Sequence, residues 1–148
     1  MRFYPKKRLI LYFFATCLCM VLACGGGDDG PSAEELRLQE LTATWSVNSV
    51  INDGQNVTSQ FNGFTLTVTS QQTYTTTNGG NAWPAQGTFE LVNNNLDVFT
   101  RDDNVNISIT SISETNLTLT FQITEVRGTA SGTEGITGSF TFDLNKTS

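Results

Sequence analysis

From Thr42 onward, apolar and polar residues alternate with a period of two. In "FTLTVT", Phe64, Leu66 and Val68 alternate with Thr65, Thr67 and Thr69. Trp45 and Val47 alternate with Ser46 and Asn48, and Val105, Ile107 and Ile109 with Asn106, Ser108 and Thr110. "NLTLTFQIT" sets Leu117, Leu119, Phe121 and Ile123 against Thr118, Thr120, Gln122 and Thr124. "GSFTFDLN" sets Phe140, Phe142 and Leu144 against Thr141 and Asp143. Strict alternation marks strands with one buried and one wet face. The wet face is mostly threonine, whose branched β-carbon suits an extended backbone. Weaker strands are expected at residues 73–77, 88–92 and 96–100.

Turn signals separate these runs: "SQQ" at 70–72, "NGGN" at 78–81, "NNN" at 93–95, "RDD" at 101–103 and "SE" at 113–114. Residues 53–63, "DGQNVTSQFNG", place Val57 and Phe61 four apart, the spacing of a short helical turn. Before the first strand, "AEELRLQEL" carries Leu36, Leu38 and Leu41 among acids and predicts one or two turns of helix. Residues 127–135 hold no large apolar side chain and predict an exposed loop. Eight short strands joined by short turns predict an all-β fold, an up-and-down antiparallel β-barrel. Closure removes the edge strands that would invite aggregation.

The inward parity collects aromatic residues. Trp45, Phe64, Phe89, Phe121, Phe140 and Phe142 share it, while Phe61, Tyr74 and Trp83 fall near loops at the barrel ends. Two readings stand: a greasy pocket with an aromatic mouth for a small apolar or amphipathic ligand, or a filled core. An eight-stranded barrel is just wide enough for either. Large inward residues on so many strands favour filling. The candidate ligand-binding residues are Trp45, Phe64, Tyr74, Trp83, Phe89, Phe121 and Phe140.

The first 23 residues have a different pattern. Arg2, Lys6, Lys7 and Arg8 precede an apolar run over residues 9–23. A spanning helix needs roughly 20 apolar residues, so this run predicts a signal peptide. It ends at Val21-Leu22-Ala23-Cys24, which resembles the lipobox of bacterial lipoproteins. The resemblance implies cleavage before Cys24 and acylation of its sulfur. Two or more acyl chains give stable anchoring. "GGGDDGPS" follows as a flexible tether. Asp28 and Asp29 there resemble the acidic export tag of surface lipoproteins of Bacteroidetes-type bacteria, which implies an outer-membrane, externally exposed location. The expected organisation is a signal peptide at 1–23, a lipidated cysteine with a flexible and short helical tether at 24–40, and a barrel at 41–148.

Charge divides at the same point. All fourteen acids but only four basic residues (Arg37, Arg101, Arg127 and Lys146) lie beyond Cys24, a side-chain net charge of −10 for the mature part. No basic patch is available to neutralise phosphates, so nucleic acid is not an expected partner. Of the three cysteines, Cys17 and Cys19 lie in the signal and Cys24 is the acylation site, which leaves the barrel without a thiol. The chain contains no histidine. Histidine-based triads, histidine general bases and histidine metal ligands are excluded, and no catalytic residue or cofactor is expected. Asp97, Asp102, Asp103 and Asn104 offer oxygen ligands but lack the spacing of a calcium loop, and a solvated hairpin turn explains them.

The order of features has a further resemblance. Leu41 and Trp45 open the first strand. "DG", "VTSQF", "FTLTVTSQQTYTTT", Trp83-Pro84, "GTFEL" and "ETNLTLTF" follow. This series is similar to the small lipocalin-like domains of bacterial lipoproteins over residues 41–144. The family places Gly two residues before the first-strand Trp; Ala43 stands there. It also sets an arginine over that Trp; Lys146 and Arg127 are the candidates. The Arg-x-Tyr that fatty-acid binders use for carboxylates is absent, so the resemblance does not extend to a fatty-acid ligand.

Overall fold

The computed structural model describes residues 30–124 and 137–148. The signal, lipobox and tether expectations at residues 1–29, and the loop expectation at 127–135, lie outside the described residues. Among them, no helix is long and apolar enough to cross a membrane.

The first element among the described residues is helix α1, Ala33–Leu41. Ser32 starts it with a reciprocal capping box. The Glu35 amide donates to Ser32 Oγ at 3.2 Å, and the Ser32 amide donates to Glu35 Oε2 at 2.7 Å. These bonds satisfy amides that a helix start leaves bare. The Ser32 amide, then its hydroxyl, hold the Glu35 carboxyl below the usual carboxylate range. At the other end the Thr42 hydroxyl donates to the Leu38 carbonyl at 2.7 Å, and the chain turns into the sheet.

Among the described residues nine strands follow: β1 Ala43–Asn52, β2 Gln55–Asn56, β3 Thr65–Val68, β4 Thr73–Thr77, β5 Gln86–Val92, β6 Asn95–Arg101, β7 Asn106–Ile112, β8 Asn116–Ile123 and β9 Gly138–Lys146. Each pairs antiparallel with its neighbour, and β9 returns to β1. The result is the expected up-and-down barrel of eight strands, with β2 as a two-residue addition on β1. The β1–β2 turn is "DG": Asp53 and Gly54 have φ of 49° and 80°, the pair of positive values that a tight hairpin demands.

Closure depends on a division of β1. Its first half pairs with β3, Ala43 opposite Val68 through Ser46 opposite Thr65. Most of its length pairs with β9, from Trp45 opposite Lys146 to Asn52 opposite Phe140. A bulge between Val47 and Ser49 separates the two inward sets. The expected alternation therefore breaks there: Ala43 and Trp45 point in, and after the bulge Val50 does, fully buried. A second bulge, between Ile109 and Ser111, ends the inward run of β7. Elsewhere the alternation holds, with Leu117, Leu119, Phe140, Phe142 and Leu144 fully buried.

The wet face is tied by threonine pairs. Thr65 and Thr77 hydroxyls lie 2.7 Å apart across β3 and β4, and Thr44 and Thr67 3.1 Å apart across β1 and β3. Cross-strand pairs of this kind add a few tenths of a kcal/mol each, up to about 1. They also fix register on a face that no core supervises.

Candidate functional site: the barrel interior and its two ends

Antiparallel register sorts the connections into two ends. Helix α1 and the turns at 69–72, 93–94 and 113–115 lie at one end. Residues 53–64, 78–85 and 102–105 lie at the other.

At the helical end, Leu41 is buried beneath α1. The indole of Trp45 lies inside the first turn of the barrel and Nε1 donates to the Leu41 carbonyl at 3.0 Å. That carbonyl is one of the helix's unbonded acceptors, so one bond satisfies both groups. Lys146 from β9 lies over the Trp45 ring, its ammonium 5.8 Å from the ring centre. Of the two cations expected there, Lys146 takes the place and Arg127 lies outside the described residues. Arg37 of α1 bridges to Asp97 of β6 at 2.7 Å and to Glu40 at 2.7 Å.

The opposite end is closed from loops. A 3₁₀ turn, Thr58–Phe61, drops Phe61 into the barrel. Its ring lies 5.0 Å from that of Phe142, edge to face. The loop after β4 drops Trp83 deeper. Its indole meets Tyr74 at 5.7 Å, Phe121 at 5.4 Å and Phe64 at 6.1 Å. The loop fits tightly: a β-carbon on Gly79 would stand 2.6 Å from the Trp83 carbonyl oxygen. Of the two readings open for Phe61, Tyr74 and Trp83, an aromatic mouth or a filled core, the second describes their positions: all three are at most 2 % exposed. Tyr74 points inward as the second residue of β4, and the loops curl in because barrel closure leaves an apolar hole there.

Arg101 is the residue that the sequence reading misplaced. It is the last residue of β6, with its side chain turned inward and 1 % exposed, rather than part of an exposed turn. Its guanidinium donates to both carboxylate oxygens of Asp103, from Nε at 3.1 Å and Nη2 at 2.6 Å. Nη1 donates to the Ala82 carbonyl at 2.9 Å. The plane also covers Trp83, 4.8 Å from the ring centre. A buried charge survives only when paired and bonded in this way. The bidentate fork suits arginine and not lysine. The signal in the sequence was parity: Phe99 and Arg101 are two apart and share the inward face.

The seven candidate residues divide accordingly. Phe64, Tyr74, Trp83, Phe121 and Phe140 join one ring network through Trp83 and Phe142. Phe89 lies apart, against Phe99 at 5.1 Å. Trp45 belongs to the helical end. The void between Leu41, Leu66, Tyr74, Trp83, Phe89 and Leu119 measures about 10 Å³, room for about one water molecule. Drug-sized ligands occupy sites of roughly 300–1,000 Å³.

The acidic group at residues 97–104 is dispersed by its bonds. Asp97 faces Arg37, Asp103 faces Arg101, and Asp102 Oδ2 accepts the Thr88 amide at 3.3 Å. Among the described residues, no three acids, histidines or cysteines come together as a metal site.

Fold and interior together define the class: a closed eight-stranded antiparallel barrel whose lumen is occupied by its own side chains. Comparison of the chain with protein families, with curated proteins and with solved structures finds no match.

Proposed function

We propose that this chain is a lipid-anchored, non-catalytic protein of the bacterial cell envelope whose barrel serves as an interaction module. The observation that carries the module reading is the interior, where the void of about 10 Å³ leaves no space for a lipid-sized guest. Binding then falls to the exterior, to a protein or a glycan. The anchor rests on residues 2–8, the apolar run at 9–23 and Val21-Leu22-Ala23-Cys24. Asp28 and Asp29 favour the outer membrane and its external face. The absence of histidine from the whole chain supports a non-catalytic role.

A second reading keeps a small apolar ligand, and one observation favours it. Trp83 enters from a loop, not a strand, and among the described residues its buried Nε1–H has no hydrogen-bond partner. An unpaired buried donor costs about 1–3 kcal/mol, so a guest that displaced the indole would relieve that cost.

Native mass spectrometry of the protein purified from its own host separates the two. The module reading expects the mass of the acylated chain alone; a co-purified lipid that an apolar fluorescent probe displaces would favour the carrier. Cys24→Ser tests the anchor. It is expected to release the protein from membranes, and unchanged retention would remove the lipoprotein reading.

A further inference from the structure

The end of the barrel opposite α1 carries a groove of about 580 Å³ on its outside, between the β6–β7 turn, the end of β8 and Asn81. Its volume falls within the range of small-molecule sites, in contrast to the interior. The lining is chemically uniform. Asn81, Asn104, Asn106, Gln122 and Thr124 supply neutral amides and a hydroxyl. Among the described residues, no hydrogen bond occupies the side chains of Asn81, Asn104 or Gln122, while Asn106 accepts from the Thr100 hydroxyl at 2.8 Å. Half-buried Val105 adds an apolar contact, while Ile123 beside it belongs to the core, 8 % exposed.

The lone acid in the groove is already neutralised. Asp103 is held by the buried Arg101 fork at 2.6 Å, and its Oδ1 also accepts the Val105 amide at 3.2 Å. The same bonds set the shape of the turn. Asn104 sits at a φ of 64° and its amide donates to the Arg101 carbonyl at 2.9 Å. Asparagine tolerates this left-handed region better than most residues. The buried ion pair thus fixes a turn that presents free amides to solvent.

We propose that this groove binds an uncharged, polyhydroxylated ligand, a saccharide segment. Amide groups both donate and accept, which matches hydroxyls that do the same. The exposed part of Val105 suits the C–H face of a sugar ring. No cation among the lining residues recommends a phosphate or carboxylate ligand. The proposal rests on the reading of the barrel as an interaction module and names its ligand class. The groove lies at the end of the barrel opposite α1.

The test is amide shift mapping on the full chain in lipid nanodiscs, with maltotriose, cellotriose and chitotriose as probes at millimolar concentration. At least one is expected to shift residues 81, 103–106 and 122–124 selectively. The double variant Asn104→Gly, Gln122→Ala is expected to weaken that sugar about tenfold, from two lost hydrogen bonds. Its thermal midpoint should lie close to the wild type, since both side chains are exposed and glycine accepts the left-handed backbone of Asn104. No selective shift with any of the three, or equal affinity in the double variant, overturns the proposal. A protein partner that maps to these residues in place of a sugar also overturns it. An apolar probe that shifts Phe64 and Phe121 would defeat the module reading by itself and leave the groove result separately legible.

Discussion

The two ends of the barrel do the same job with different chemistry. At the helical end, a segment adjacent in sequence folds over the opening, and Leu41 and Trp45 share one apolar contact and one hydrogen bond. At the loop end, Phe61, Trp83 and Arg101 arrive from three separate connections and strands. They close the lumen by ring contacts and a buried ion pair. The helical closure is local and nearly free of buried charge. The loop closure is long-range, and it carries a fully desolvated guanidinium whose tolerance depends on Asp103. The first end is expected to weaken in small steps, and the second to lose more when any one member is removed.

That contrast orders the expected effects of substitution. Trp83→Ala should be the most damaging, since it empties the centre of the ring network; large-to-small changes of this kind cost about 3–5 kcal/mol. Asp103→Ala comes next. It strands Arg101 inside the barrel, at a cost of about 3 kcal/mol or more. Chemical denaturation of each variant measures both, and a loss below about 1 kcal/mol in Asp103→Ala would show that the guanidinium finds water. Trp45→Phe at the helical end removes one hydrogen bond and part of a ring, so about 1–2 kcal/mol is expected.

The smallest effects belong to α1. Ser32→Ala should cost about 1 kcal/mol of local helix stability. The Glu35 carboxyl is held below its ordinary range by Ser32. A lowered folded value means that the stabilisation is present above the unfolded carboxylate value. It is lost as the pH falls through the lower folded one. Protection of amides 33–41 relative to their intrinsic exchange rates should therefore fall in the acid range in the wild type, lose that pH dependence in Glu35→Gln, and keep most of it in Ser32→Ala, where the backbone amide still donates to Glu35. Arg37→Met breaks an ion pair whose Asp97 partner is largely exposed, and a change under about 1 kcal/mol is expected.

The same division explains how much was legible in the sequence. Alternation over β3, β8 and β9 is written in consecutive residues, and the barrel followed from it. So did helix α1, from its leucine spacing. The bulges in β1 and β7 were not legible, because one extra residue reverses parity without any composition signal. Trp83 and Arg101 were not placed, because a residue beside proline in a loop, or at the end of a strand beside two aspartates, reads as exposed. What draws them inward is the apolar space left by closure, a property of the whole barrel. The inward parity of Trp45, Phe64, Phe89, Phe121 and Phe140 was legible and all five are buried, but only the volumes of all the inward residues together decide whether space remains.

The central claim is that the lumen is filled and that Trp83 fills its loop end. Xenon uptake followed by methyl and aromatic shifts in the full-length protein tests it most directly. The account predicts no saturable xenon site in the wild type, and a site that appears beside Phe64, Phe121 and Phe142 in Trp83→Ala. A saturable site within the wild-type barrel would contradict it.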